Sequence, residues 1–309
     1  MNDYFKSFSL HHPTNDDLQA VFDLVVACDI AELGEPDTDL EDIQGGWEDI
    51  DLSQDAWLVS DAAGTLIGYA AVFSRFDRFT FDTYAHPDHA TVELHRGLFD
   101  LCEQRARQRL QTENLDKGQV TLYTSHTNHD LNQIVEAAGF YLKKYHYQLE
   151  IELDAPPSAP TWPEGSELRN FIPGQDERAT FDFIQTAFDR PGRTPPSYED
   201  WHSFMVGHPL FNPDLWFLLY AGESIIGAAL CFDYAQSGWV RQLGVLPTHQ
   251  RQGIGAALLQ HVFGVFFQRG KPRIGLAVES ENPNAIAFYE RVGMKPLHQY
   301  NEYQKELLS

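Results

Sequence analysis

The chain has 309 residues, 43% of them hydrophobic and 13% aromatic, which is the composition of a folded protein of about two domains. Its 22 basic and 45 acidic residues give a formal charge of −23, a field that repels nucleic acid and anionic membrane surfaces. Three scattered cysteines without a CxxC pair argue against a disulfide framework, and "MNDYFKSFSL" lacks a signal-peptide layout, so a cytoplasmic protein is expected.

Taken in order, the chain opens with no Lys or Arg between Lys6 and Arg75, while Asp29 to Asp55 holds eleven carboxylates. This reads as a solvated acidic face, with a funnel for a cationic substrate as the sharper alternative. "WLVSDAAGTLIGYAAVF" (Trp57–Phe73) then reads as a β-hairpin around a glycine turn. His126 and His129 share a loop, but two histidines without further ligands make no metal site, and no metal is expected. Pro156, Pro157, Pro160 and Pro163 stiffen the segment Asp154–Gly165 into a connector. Beyond it the pattern predicts a strand at Glu167–Ile172, a helix at Asp176–Phe188 and an irregular stretch at Asp189–Pro213. A second hairpin follows, then a strand at Trp239–Val245, a helix at Gly255–Gln268, a strand at Arg273–Val278, a helix at Asn284–Val292 and a closing strand.

The chain is written twice. Trp57–Phe73 pairs with "WFLLYAGESIIGAALCF" (Trp216–Phe232), Ala85–Leu101 with Val245–His261, and Leu122–Phe140 with Leu276–Met294, in one order and at nearly one offset. The domains expected are 1–153, a linker at 154–165, and 166–309. Each is α/β in the broad (α+β mixed) sense, a mostly antiparallel twisted sheet flanked by helices.

In "QLGVLPTHQRQGIGAAL" a strand ends at Leu243-Gly244-Val245, Pro247 breaks it, and a loop enters a helix whose apolar residues Leu258, Val262, Val265 and Phe266 recur at helical spacing. Gly253 and Gly255 permit a tight turn and close approach of a ligand. The first amides of such a helix lack partners and face the ligand with the positive end of the dipole behind them, a geometry that binds phosphate. Arg251 adds a charge. No Gly-Lys-Ser/Thr follows, and Leu258 stands where the dinucleotide fingerprint needs its third glycine.

These residues resemble a family. Gln250-x-x-Gly253-x-Gly255 after Leu243-Gly244-Val245 is similar to the acetyl-CoA pyrophosphate loop of the GNAT superfamily of N-acetyltransferases. "ESENPNAIAFYERVGM" resembles its Asn-x-x-Ala-x-x-x-Tyr-x-x-x-Gly-Phe segment, with Met294 replacing the Phe. The doubled layout is similar to tandem GNAT proteins of the mycothiol synthase type. The resemblance implies acetyl-CoA as acyl donor, its pyrophosphate on the amides of Arg251, Gln252, Gly253, Ile254, Gly255 and Ala256. It also implies a pantetheine arm along Leu243, Gly244 and Val245, with Gly244 tolerating a bulge there, and contacts to Asn282, Ala285 and Phe288. Tyr289 would protonate the departing thiolate.

A general base is not evident: Trp239 stands where an acidic residue is expected, leaving Asp233, Glu279, Glu281, His202 and His208 as candidates. In the first copy both loop glycines are gone, Glu93 sits where a pyrophosphate would, and Val135 replaces Tyr289, so this copy is expected to be a scaffold. The reading is an N-acetyltransferase acting on a primary amine of a small molecule or peptide, a cationic acceptor being mildly favoured, with oligomeric state open. Acetylation of a cysteinyl-sugar amine is a narrower version. A non-catalytic acyl-CoA sensor or scaffold is the rival.

Overall fold

Short apolar runs form the strands of each hairpin, and the helices between strands supply the apolar stripes that cover the sheet. The computed structural model describes residues 3–5, 8–75, 77–191, 193, 195–280 and 282–309. It contains two compact units: Met1–Tyr147 with Glu279–Glu281 and His298–Ser309, and Gln148–Val278 with Asn282–Leu297.

In the first unit β1 (Ser9–His11) precedes α1 (Leu18–Leu33), α2 (Leu40–Glu48) and the single turn α3 (Leu52–Asp55). The hairpin β2 (Ala56–Ser60) and β3 (Leu66–Arg75) follows, then β4 (Arg78–Ala85), α4 (Val92–Thr112), β5 (Lys117–Ser125), α5 (His129–Ala137) and β6 (Tyr141–Glu152, in this unit through Tyr147). The acidic stretch Asp29–Asp55 is largely helical. Glu41 and Asp42 lie in the first turn of α2, where carboxylates complement the dipole, and Asp51 caps α3 by accepting from the Ser53 amide at 3.0 Å. Nor are all these carboxylates solvated: Asp55 is buried and paired with Arg105 (2.6 Å) and Arg109 (2.7 Å).

The second unit contains β7 (Ser166–Asn170), α6 (Glu177–Ala187), α7 (Tyr198–Met205), β8 (Trp216–Ala221), β9 (Ser224–Asp233), β10 (Gly238–Val245), α8 (Ile254–Gln268), β11 (Arg273–Glu279, in this unit through Val278) and α9 (Pro283–Arg291). It also holds the end of β6 and the start of β12 (Lys295–Leu308). β9 is buried from Ile225 to Phe232. Its Gly227 meets Ile254 and Leu258 of α8, whereas Ala228, Leu230 and Phe232 pack with Phe181, Phe183, Ile184 and Trp201, so successive residues serve opposite faces. Leu258, Val262 and Phe266 are fully buried, contributing roughly 1.5–3 kcal/mol each.

The closing strand forms where expected, but from His298 onward it lies in the first unit. Tyr300–Leu308 runs antiparallel to Lys117–Ser125, and Tyr303 and Leu307 enter the first unit's core. Among the described residues no helix is long and apolar enough to cross a membrane.

Candidate active site

The second unit's sheet opens at β10. β10 and β11 run parallel but pair only at Gly238↔Ile274 and Trp239↔Gly275, so from Val240 onward β10 is paired on its β9 side alone. The ladder to β9 slips between Val240 and Gln242, leaving Arg241 as the extra residue. The bulge therefore falls at Arg241 and not at Gly244, which pairs regularly with Ala228. Gly244 is small for another reason: a Cβ there would meet Ala187 at 3.1 Å and the Phe183 ring at 3.2 Å, both on α6. Leu243 and Val245 on either side are half-buried.

After β10 the chain makes a single turn at Pro247–His249 and enters the loop. Gln250 and Gln252 stitch it by donating to the carbonyls of Val245 (3.3 Å) and Thr248 (3.4 Å). Arg251 has φ 62° and Gly253 φ 83°, both left-handed, and Arg251 is one of two non-glycine residues with positive φ among those described. Gly253 is the N-cap of α8 and has no side chain to cap with, so the amides of Ile254, Gly255 and Ala256 have no partner among the described residues. A 15-residue helix stands behind them. Gly255 also touches α9, since its Cβ would lie 3.2 Å from Phe288.

On α9, Asn282 is the N-cap and accepts from the Ala285 amide (3.2 Å), which leaves its Nδ2 for other partners. Ala285, Phe288 and Tyr289 are half-buried, and the Phe288 and Tyr289 rings lie 5.2 Å apart. The Tyr289 hydroxyl makes no hydrogen bond among the described residues. Burial pushes its pKa up to about 12, so it is a phenol, not a phenolate, at neutral pH. The structure thus gathers Gly255, Phe288 and Tyr289 at one place and sets Leu243–Val245 beside α6.

The base candidates fare differently. Burial raises the Asp233 pKa, but Lys271 and Arg269 (2.6 Å) outweigh it and hold that carboxyl below its ordinary range. Glu279 is paired with Lys144 at 2.9 Å. His208 stacks on Phe232 at 4.4 Å, and its Nδ1 lone pair already accepts from the Leu210 amide. His202 lies 5.7 Å from the Tyr198 ring on α7. Glu281 lies outside the described residues. Trp239 packs on Gly275, whose Cβ would meet the indole at 2.6 Å, so the position where a carboxylate is expected is filled by a ring.

One element was missed. α7 lies within the stretch read as irregular, and its Trp201 Nε1 donates to Gln242 Oε1 at 3.2 Å, while Arg241 lies over the Phe204 ring at 4.7 Å. Its signal is Ser197, which caps the helix by accepting from the Asp200 amide at 3.0 Å, obscured by the prolines just before it.

The first unit repeats these elements without the open helix end. β4 and β5 pair at four positions, ending at Phe81↔Leu122, and then part. α4, however, starts with Thr91 as N-cap, whose hydroxyl accepts from the Leu94 amide at 3.1 Å. Val135 is wholly buried on α5, where the second unit has Tyr289.

Residues 178–294 match the model of the acetyltransferase (GNAT) family. A mycothiol acetyltransferase of Streptomyces bingchenggensis is 27% identical over 81% of this chain and 79% of its own. That of Streptomyces scabiei is 32% identical over 45% of this chain, and the match spans about half of that relative (46%). A solved GCN5-related N-acetyltransferase from Sphaerobacter thermophilus is similar over all of this chain and 98% of its own, at 32% identity and a TM-score of 0.85. A tandem GNAT protein from the clavulanic acid biosynthesis pathway shares the fold at a TM-score of 0.75 and 14% identity, over 98% of this chain and 99% of its own. With its fold shared from end to end, and the family's match falling on the copy that keeps the glycines, the chain belongs to the GNAT family of N-acetyltransferases.

Proposed function

We propose that the second unit transfers an acetyl group from acetyl-CoA to the primary amine of a small molecule, with Tyr289 as the proton donor to the leaving thiolate. The observation that carries this reading is the start of α8. Its first amides are uncapped beside two parted strands, whereas the equivalent helix of the first unit is closed by Thr91. Acetyl-CoA is the acyl-bearing substrate, with its pyrophosphate on the amides of 251–256 and the main chain of Leu243–Val245 and Asn282 Nδ2 available to its arm. The first unit serves as scaffold with respect to this reaction.

In the reaction the amine nitrogen bonds to the thioester carbon, the C–S bond breaks, and the sulfur takes a proton while the ammonium loses one. An amide of β10 facing the carbonyl oxygen would stabilise the charge that develops there. A phenol with pKa about 12 giving its proton outright to a thiolate of pKa about 8.5 is uphill by about 5 kcal/mol. Tyr289 therefore works by donating a hydrogen bond to the sulfur and yielding the proton as the ammonium's proton becomes available. Asp233 and Glu279 are held in ion pairs, which favours acceptors that reach the site already neutral.

A second reading of the acceptor rests on the relatives' name: a cysteinyl-sugar amine, as for the mycothiol acetyltransferases. The test is calorimetric titration with acetyl-CoA, followed by thiol release across a panel of amines that includes a cysteinyl sugar. One site per chain and turnover with some amine supports the reading. Tight binding with no thiol release from any acceptor leaves an acyl-CoA sensor, and no binding removes both.

A further inference from the structure

Where β4 and β5 part, the first unit holds a cavity of about 530 Å³, the size of a small-molecule site. Its wall includes Asp29 and Glu32 from α1 and Asp82 from β4, and none of its lining residues is Lys or Arg. A second cavity of about 220 Å³ shares Asp82 and Tyr84 with the first.

The polar groups here are only partly satisfied. Asp29 accepts from the amides of Asp37 (3.0 Å) and Thr38 (2.9 Å), and Glu32 from Asn128 Nδ2 at 2.6 Å, but neither faces a cation. Asp82 has neither hydrogen bond nor counter-ion among the described residues. Burial drives its pKa up to about 6. His95, 7% exposed, lines the same cavity with its Nδ1 unpartnered, and burial lowers its pKa to about 4, so it adds no positive charge at neutral pH. The three carboxylates are half-buried and face no Lys or Arg among the lining residues, a desolvation cost that the hydrogen bonds to Asp29 and Glu32 offset only in part.

We infer that this cavity is a binding site for a small organic cation, an ammonium or guanidinium attracted by the negative charge of Asp82, Glu32 and Asp29 on its wall. The site does not depend on the acetyl-transfer reading. Its aromatic wall of Tyr84 and Tyr123 suits an ammonium with an organic body. A phosphate is disfavoured by the carboxylates and by Thr91, which occupies the helix end. A metal ion is disfavoured because, among the described residues, no three His, Cys, Asp or Glu side chains come close enough to share one.

The experiment is calorimetric titration of the full chain with putrescine, agmatine and tetramethylammonium, with 1,4-butanediol and MgCl2 as controls. Asp82→Asn and Glu32→Gln are titrated alongside, and acetyl-CoA binding checks that each variant is folded. The expected result is sub-millimolar binding of at least one cation, none of the diol, and a loss of tenfold or more in Asp82→Asn with acetyl-CoA binding kept. Binding that both variants leave unchanged places the cation elsewhere and overturns the proposal. So does the absence of binding, or Mg2+ binding as well as the amines.

Discussion

Placing a carboxylate beside the open helix end separates folding from ligand binding. Gln252 is exposed and directly precedes Gly253, the bare N-cap of α8. In Gln252→Glu the side chain loses its 3.4 Å donation to the Thr248 carbonyl, worth a few tenths of a kcal/mol at an exposed site. The new charge gains about 0.3–1 kcal/mol at the positive end of the helix, so stability stays level or rises slightly. A pyrophosphate on the amides of 254–256 would lie about 6 Å away, and at an effective dielectric of about 40 each charge pair costs about 1.4 kcal/mol. For one to two ligand charges the affinity for acetyl-CoA should fall about 10- to 100-fold. Titration in low and high salt, with Gln252→Leu as the neutral control, reads this directly, because salt should narrow the gap between the variants. A folded Gln252→Glu protein with undiminished affinity would refute the assignment of the loop. The design avoids Gly255→Glu, where the Phe288 ring 3.2 Å from the new Cβ would mix a packing defect into the result.

Tyr289→Phe should lower kcat about 100-fold with acetyl-CoA affinity and melting temperature unchanged, since the hydroxyl has no hydrogen-bond partner among the described residues; weaker binding at unchanged kcat points to a packing role. Gly275→Ala forces a methyl to 2.6 Å from the Trp239 ring and should cost about 1–3 kcal/mol by thermal or denaturant unfolding, partly relieved by Trp239→Phe; an unchanged melting curve means the indole does not seat there. Asp82 has its pKa raised from 3.8 to about 6, so the fold prefers its protonated form and loses stability as pH rises through that interval. Asp82→Asn should therefore exceed the parent by at most about 3 kcal/mol above pH 7, nearer half of that with solvent in the cavity, and match it near pH 4; equal gaps at both pH values contradict the account.

Local chemistry wrote much of this protein into its sequence. The hairpins follow from short apolar runs around glycine turns, α8 from apolar residues three and four apart, and the open helix end from a glycine at the N-cap. The loss of both loop glycines in the first copy, with Glu93 where the second has Gly253, was equally legible, whereas the closing of that helix end by Thr91 came from the fold. Partner choice was not. The period of β12 reveals a face but not which strand it joins, and only the folded chain sets Tyr303 and Leu307 into the first unit's core. The position of the bulge at Arg241 depends on how β9 and β10 register, which no single strand encodes. The fates of Asp233, Glu279 and Asp82 were likewise decided in three dimensions. A carboxylate's chemistry is set by what faces it, so the first two were quenched by cations and the third was left alone in a cavity.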